Sequence, residues 1–252
     1  MNKEEQFLLN KIIDMASRVY MSDRPEFTGF LNLNEQDLFL SNTHKLPPVN
    51  YELVGGHIFS ERNIIALLPQ DNLYEVKPPI VAVKCVPQSI KYSDELTHRD
   101  YLGALMHLGV NRNTIGDILF DGKTSYVVCL DNMSEYLCEN LIKVKHTIIN
   151  TTIIDISEIP ECKSNAAEIS GFVSSNRIDA IISVAFNLSR STAAKEVSEG
   201  RVYVNSRLIN SASMSLKNKD IVSVRGTGRF VFNDVVATTK KNRLMISITK
   251  YI

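Results

Sequence analysis

The sequence predicts an α+β protein in three parts: a small N-terminal α/β domain, a ferredoxin-like βαββαβ domain and a C-terminal α-α-β module. Three observations predict it. Residues 79–160 order their apolar runs as β-α-β-β-α-β. Two helical signatures follow each other directly after residue 176 and lead into strand-like runs. The charge is also divided unequally along the chain.

In residues 3–21, Leu8, Ile12, Met15 and Val19 form a one-sided apolar stripe on a charged helix. Residues 22–76 are broken by Pro25, Pro47, Pro48 and Pro69, with a Gly55-Gly56 turn before an apolar run; with the first helix they make the N-terminal domain, 1–76. Residues 77–162 hold the second domain. IVAVKCV, GDILF, SYVVCL and HTIINTTIIDI read as strands, HRDYLGALMHLG and MSEYLCENLIKV as helices, and their order is that of the split βαβ fold. RNA-recognition domains share this topology but stack bases on aromatics of the two central strands, where this chain offers only Tyr126. Residues 163–175, KSNAAEISGFVSS, are expected to be a linker.

The third part, 176–252, opens with Ile178, Ile181, Ile182, Ala185 and Phe186 at helical spacing. Ser189 or Ser191 is expected to cap a second helix over 192–199, stopped by Gly200. RVYVN, IVSVRG and RFVF then read as strands. This third carries thirteen basic residues against five acidic, a net of +8, and the balance of zero for the whole chain leaves −8 for the rest. A basic module on an acidic body points to polyanion binding by the module alone.

With 252 residues, 44% hydrophobic and 22% charged, the composition excludes disorder, collagen and coiled coil. The longest uncharged stretch is the eleven residues of 101–111, against the ~20 apolar residues of a membrane-spanning helix. Glu4, Glu5, Lys11 and Asp14 interrupt the apolar run an export signal would need, so a cytoplasmic location is expected. Cys85, Cys129, Cys138 and Cys162 form no CxxC pair and have no close histidine, and His44, His57, His107 and His146 are scattered; neither disulfide, metal nor other cofactor is expected. His98-Arg99-Asp100 reads as a helix start, with Asp100 suited to the dipole.

The chemistry concentrates at the second C-terminal helix. Its opening turn presents free backbone N–H groups beside Ser189, Arg190 and Ser191, with Lys195 one turn on, a set suited to phosphate. Arg177, Arg201, Asn205, Arg207, Arg225 and Arg229, at the adjoining helix start, strand ends and glycine loop, would extend the positive surface along an RNA backbone.

The string R-I-D-x8-L-S-R-S-x-A-x8-V-x-V-N, followed by DIVSVRG and a Gly-Arg, resembles the S-four-type RNA-binding domain over about a quarter of the chain. After Asn205, where that family has glycine, this chain has Ser206. GGHIFSERNIIALLP and HRDYLGALMHLGVNRNTIGDILF, in order before that module, resemble the bacterial YlmH family along nearly the whole length. The resemblance implies a monomeric, non-enzymatic protein that binds ribosomal RNA of the large subunit, with tRNA as a further partner, in ribosome-associated quality control of stalled peptidyl-tRNA complexes. Two alternatives remain open from the residues: an RNA-modifying enzyme using the same tail, and a division-linked scaffold. Neither a second Arg-Leu-Asp-type loop nor a glycine-rich cofactor loop occurs elsewhere in the chain.

Overall fold

A computed structural model describes residues 3–57, 60–71, 76–160, 167–239 and 242–251. The chain divides into two compact units, residues 1–162 and 163–252. The first contains both of the segments that sequence reading separates at residue 76.

In the first unit, α1 (Lys3–Ser22) precedes β1 (Glu26–Phe27), α2 (Leu33–Ser41), β2 (Asn50–Val54) and β3 (Ile64–Leu68). The three strands pair antiparallel in the order β1-β3-β2. The predicted stripe on α1 meets this sheet: Ile12, Met15 and Val19 pack with Leu31, Phe39, Ile65 and Leu67. Asn32 caps α2 by accepting from the backbone N–H groups of Asn34 and Glu35, and Glu35 accepts from the N–H of Asn32 in return.

The ferredoxin-like part follows, as β4 (Ile80–Pro87), α3 (His98–His107), β5 (Ile115–Asp121), β6 (Thr124–Leu130), α4 (Asp131–Asn140), β7 (Lys143–Val144) and β8 (Thr147–Ile154). The sheet order β5-β6-β4-β8-β7 is the expected one, with β7 added at the edge. The helix read as 133–144 stops at Asn140, because Lys143 and Val144 turn back to pair with β8. One face of the sheet, through Val83, Cys85, Val127 and Ile149, packs on Tyr101 and Leu105 of α3 and Leu137 of α4.

The opposite face is not open. Ala82, Tyr126 and Val128 form a second core with Phe30 and Ile64, joined by Phe27 and Val54. Tyr126, the one aromatic available for base stacking, is only 3% exposed. Two features hold the N-terminal sheet in this position. Gly116 leaves room for the Phe30 ring, which a Cβ would meet at 2.7 Å. The Arg62 guanidinium donates to three carbonyls: Ile115 O through Nε, and Phe30 O and Arg112 O through Nη2, each at 2.9 Å. Burial and then the neighbouring Arg112 push the Arg62 pKa down to about 10, which still leaves it charged at neutral pH.

The second unit comprises β9 (Ala167–Val173), α5 (Ile178–Phe186), α6 (Arg190–Ser198), β10 (Val202–Val204), β11 (Arg207–Leu208), β12 (Ile221–Val224), β13 (Gly228–Thr238) and β14 (Leu244–Tyr251). One sheet, β11-β10-β12-β13-β14-β9, covers the two helices. Ile181, Ile182 and Ala185 of α5 and Ala193 and Val197 of α6 pack on Val202, Val222, Phe230, Phe232, Ile246 and Ile248. Two differences from the sequence reading stand out. RFVF is the start of an eleven-residue strand that turns back into β14. Within 163–175, expected to be a linker, residues 167–173 form strand β9, paired along β14; residues 163–166 lie outside the described residues, and only 174–175 link β9 to the pattern that follows. Ser, Asn and Gly mask the alternation of Ile169, Gly171 and Val173 there, and Gly171 is required because a Cβ would meet Val184 of α5 at 2.5 Å.

Cys85 and Cys129 are buried free thiols pushed up to about 12 by burial, and Cys138 is partly buried; Cys162 lies outside the described residues. The ring contact at Gly116 makes a direct test of the first unit's packing. Gly116→Val is expected to destabilise the protein by about 1–3 kcal/mol, measured by chemical denaturation, because the Phe30 ring is fully buried and has nowhere to move.

Candidate nucleic-acid interface

The basic residues singled out in the sequence fall into three groups. The first surrounds the opening of α6. Ser189 caps this helix: its Oγ accepts from the backbone N–H of Thr192 at 3.0 Å and lies 2.8 Å from the hydroxyls of both Ser191 and Thr192. The N–H groups of Arg190 and Ser191 have no intrahelical acceptor at this end. Arg190 reaches sideways instead of outwards, its Nη2 donating to Asp179 Oδ2 at 2.8 Å.

Asp179 lies in the first turn of α5 and is 4% exposed. Its carboxylate also accepts from Nε and Nη2 of Arg177, at 3.0 and 3.2 Å, and from the backbone N–H of Ala180 at 2.9 Å. Burial alone would raise the Asp179 pKa, but the hydrogen bonds from Arg177 and Arg190, with their charges, outweigh it and hold it below the ordinary 3.8. The two guanidinium groups are thereby fixed side by side, with 41% and 49% of their side-chain surface still open to solvent. Arg177 is fastened to the sheet side as well, through an isolated bridge to Ser215.

The second group is Arg201 with Arg225 and Lys195. The backbone N–H of Arg225 donates to Arg201 O at 2.8 Å, which puts the two at one end of the β10–β12 pair. Arg201 pairs with Glu196 at 3.3 Å and with Glu199, and Lys195 lies 3.6 Å from Glu199. Lys195 is 70% exposed, so its pair is well screened and leaves the ammonium accessible.

Asn205 and Arg207 form the third group, at the opposite end of β10. Asn205 and Ser206 both have positive φ, 49° and 64°, as the two central residues of a type I′ hairpin turn require. Serine stands here without the usual glycine at the cost of a left-handed backbone. Asn205 is a structural residue: its Oδ1 accepts from Ile221 N–H at 2.9 Å and its Nδ2 donates to the buried Asp220 at 2.8 Å. Arg207 and Arg225 are exposed and their side chains have no partner among the described residues.

Arg229 leaves the predicted set. It is 6% exposed, second in β13 and opposite Ser223, whose Oγ accepts from its Nε at 2.9 Å. The sequence places Arg229 at a strand end beside the glycine loop, and the strand, β13, already begins at Gly228. Sequence reading also missed Asp179. Its signal was the Arg-x-Asp spacing at a helix start, which sets the two side chains on one turn.

Other charged residues of the first unit are occupied locally. Arg112 Nη1 donates to the carbonyls of Ile115 and Gly116, and Lys123 Nζ to Ile90 O and Ser93 Oγ. Asp100 starts α3 as expected, accepting from the hydroxyl and N–H of Thr97, and with Lys145 beside it its pKa falls to about 2. Among the described residues no three His, Cys, Asp or Glu side chains gather as metal ligands, and no helix is long and apolar enough to cross a membrane.

Comparison with known proteins agrees with this layout. Residues 82–158 match the family described as "Putative RNA-binding domain in YlmH", and residues 176–222 match the "S4 domain". The chain is similar to "Ribosome-associated protein quality control protein P2" of Bacillus subtilis (strain 168), at 24% identity over 251 residues, 98% of this chain and 96% of that protein. Among solved structures, "Cell division protein ylmH from Streptococcus pneumoniae" superposes with a TM-score of 0.50 at 19% identity, over 63% of this chain and 96% of that one, a likeness of fold.

The depressed Asp179 pKa has a consequence for acid stability. A carboxyl whose pKa falls on folding contributes stability in full above its unfolded value, near 3.8, and loses it as pH falls through the folded value. An acid titration followed by circular dichroism should show Asp179→Asn less stable than the parent at neutral pH, with the gap narrowing as the pH drops below about 4.

Proposed function

We propose that this chain, which pairs a YlmH-type RNA-binding domain with an S-four-type module, is a non-enzymatic cytoplasmic RNA-binding factor of the ribosome. It would hold structured ribosomal RNA of the large subunit, and tRNA with it, in quality control of stalled peptidyl-tRNA complexes. The observation that carries the reading is the exposed basic set of the second unit: Arg177 and Arg190 at the opening of α6, Lys195, Arg201 and Arg225 beyond it, and Arg207 at the hairpin. Arginine forks, serine hydroxyls and helix N–H groups match phosphate oxygens and carry no base code, so binding follows RNA shape and backbone. Ribosome association is supported by the near full-length likeness to a protein named as ribosome-associated.

The ferredoxin-like domain contributes in this reading without base stacking on its sheet, since Phe30 and Ile64 cover the face around Tyr126. The basic module and the acidic body then divide the work, one seeking phosphate and the other avoiding it.

Arg207→Ala with Arg225→Ala is the cleanest test, because neither side chain has an internal role. Stability should stay within about 0.5 kcal/mol of the parent. The slope of log affinity against log salt should flatten by about 0.7–0.9 for each phosphate that these arginines no longer hold. In sucrose gradients at low salt, the parent should travel with large subunits and the double variant should shift towards the top. An unchanged salt slope would remove these arginines from the interface, and a parent that sediments with neither subunit would overturn ribosome binding.

A further inference from the structure

We infer that Asp179 is the positioning residue of the RNA surface: a buried carboxylate that holds Arg177 and Arg190 side by side for a phosphate without touching the RNA itself. The inference rests on the proposed function and extends it by one residue.

The geometry carries it. Asp179 takes two hydrogen bonds from Arg177 and one from Arg190, all through atoms that face the protein. A guanidinium has five N–H donors, so Arg177 keeps three and Arg190 four for an outer ligand. Both side chains remain near half exposed, which places the unused donors at the solvent side. Two free arginines held this close would repel each other and swing apart, and each would lose rotamer freedom on closing around an anion. The carboxylate cancels the repulsion and fixes both rotamers before RNA arrives.

This arrangement distinguishes positioning from charge. If net charge governed binding, removing Asp179 would add one positive charge to the surface and tighten RNA binding. If Asp179 positions the arginines, removing it weakens binding despite the added charge. Asp179→Asn retains an oxygen for the N–H of Ala180 and for one donor of Arg177, and loses the charge-assisted bond to Arg190.

The test uses the full chain and a fluorescently labelled RNA hairpin in a double-mutant cycle of Asp179→Asn and Arg190→Ala. Loss of two preset arginines is expected to weaken Asp179→Asn by about tenfold. The doubly substituted protein should bind no more weakly than the weaker single variant, because both changes remove the same element. A purely structural Asp179 would give additive losses in affinity across the cycle, and that result would overturn the inference. So would unchanged or tighter binding by Asp179→Asn. If Asp179→Asn does not fold, Arg177→Lys with Arg190→Lys takes its place: charge is kept and the fork is lost, so an affinity equal to the parent would overturn positioning, and a similar tenfold loss would support it. A parent that fails to bind the hairpin would overturn the proposed function as well, which separates that failure from failure of the positioning role alone.

Discussion

A carboxylate withdrawn from water costs several kcal/mol unless hydrogen bonds and opposite charge replace its hydration. Asp179 meets that requirement with two arginines and a backbone N–H, and the layout of the basic surface depends on it. The first turn of α5 supplies Arg177 and Asp179, and the first residue of α6 supplies Arg190. The left-handed Asn187 lets the chain leave α5 and enter α6 almost at once, and the Arg190 side chain reaches back to Asp179. The short inter-helix turn, the buried acid and the half-exposed guanidinium groups are parts of a single local solution. The surface proposed to meet phosphate is thus organised around an anion of its own.

The first unit solves a different problem. A ferredoxin-like sheet buries one face under its two helices and leaves the other to be wetted or covered. Here the N-terminal sheet covers it, through an aromatic ring seated on a glycine and an arginine spent on three main-chain carbonyls. Arg62 is thus a basic residue with an inward task. Its charge satisfies backbone oxygens where strand, loop and turn meet, and it shows why a count of positive residues says little about which of them face a ligand.

How much of this was legible in the sequence follows from the range of the interactions. The ferredoxin-like order was readable because IVAVKCV, SYVVCL and the α3 stripe each declare their own period, and a cap such as Ser189 acts within three residues. Strand β9 was not readable, because serines, a glycine and a partner strand some seventy residues away leave no local mark. Arg229 was placed with the surface arginines because it stands at a strand end beside a glycine loop; pairing with Ser223 decides otherwise. The site was legible as a set of basic residues and not as a geometry. Asp179 carries the opposite sign to the residues expected there, and only its burial between Arg177 and Arg190 reveals what it does.

Strand β9 also changes where this molecule can be cut. It forms the outer edge of the six-stranded sheet and hydrogen-bonds along the length of β14, so it shields that strand's backbone from solvent and from other chains. A fragment begun at Asn176, where the RNA-binding pattern starts, would strip this shield. The N–H and C=O groups of MISITK in β14 would then lie open beside Ile246 and Ile248, a ready template for pairing with a second copy. The smallest self-contained RNA-binding piece of this protein is therefore larger than its signature, and it begins before Ala167.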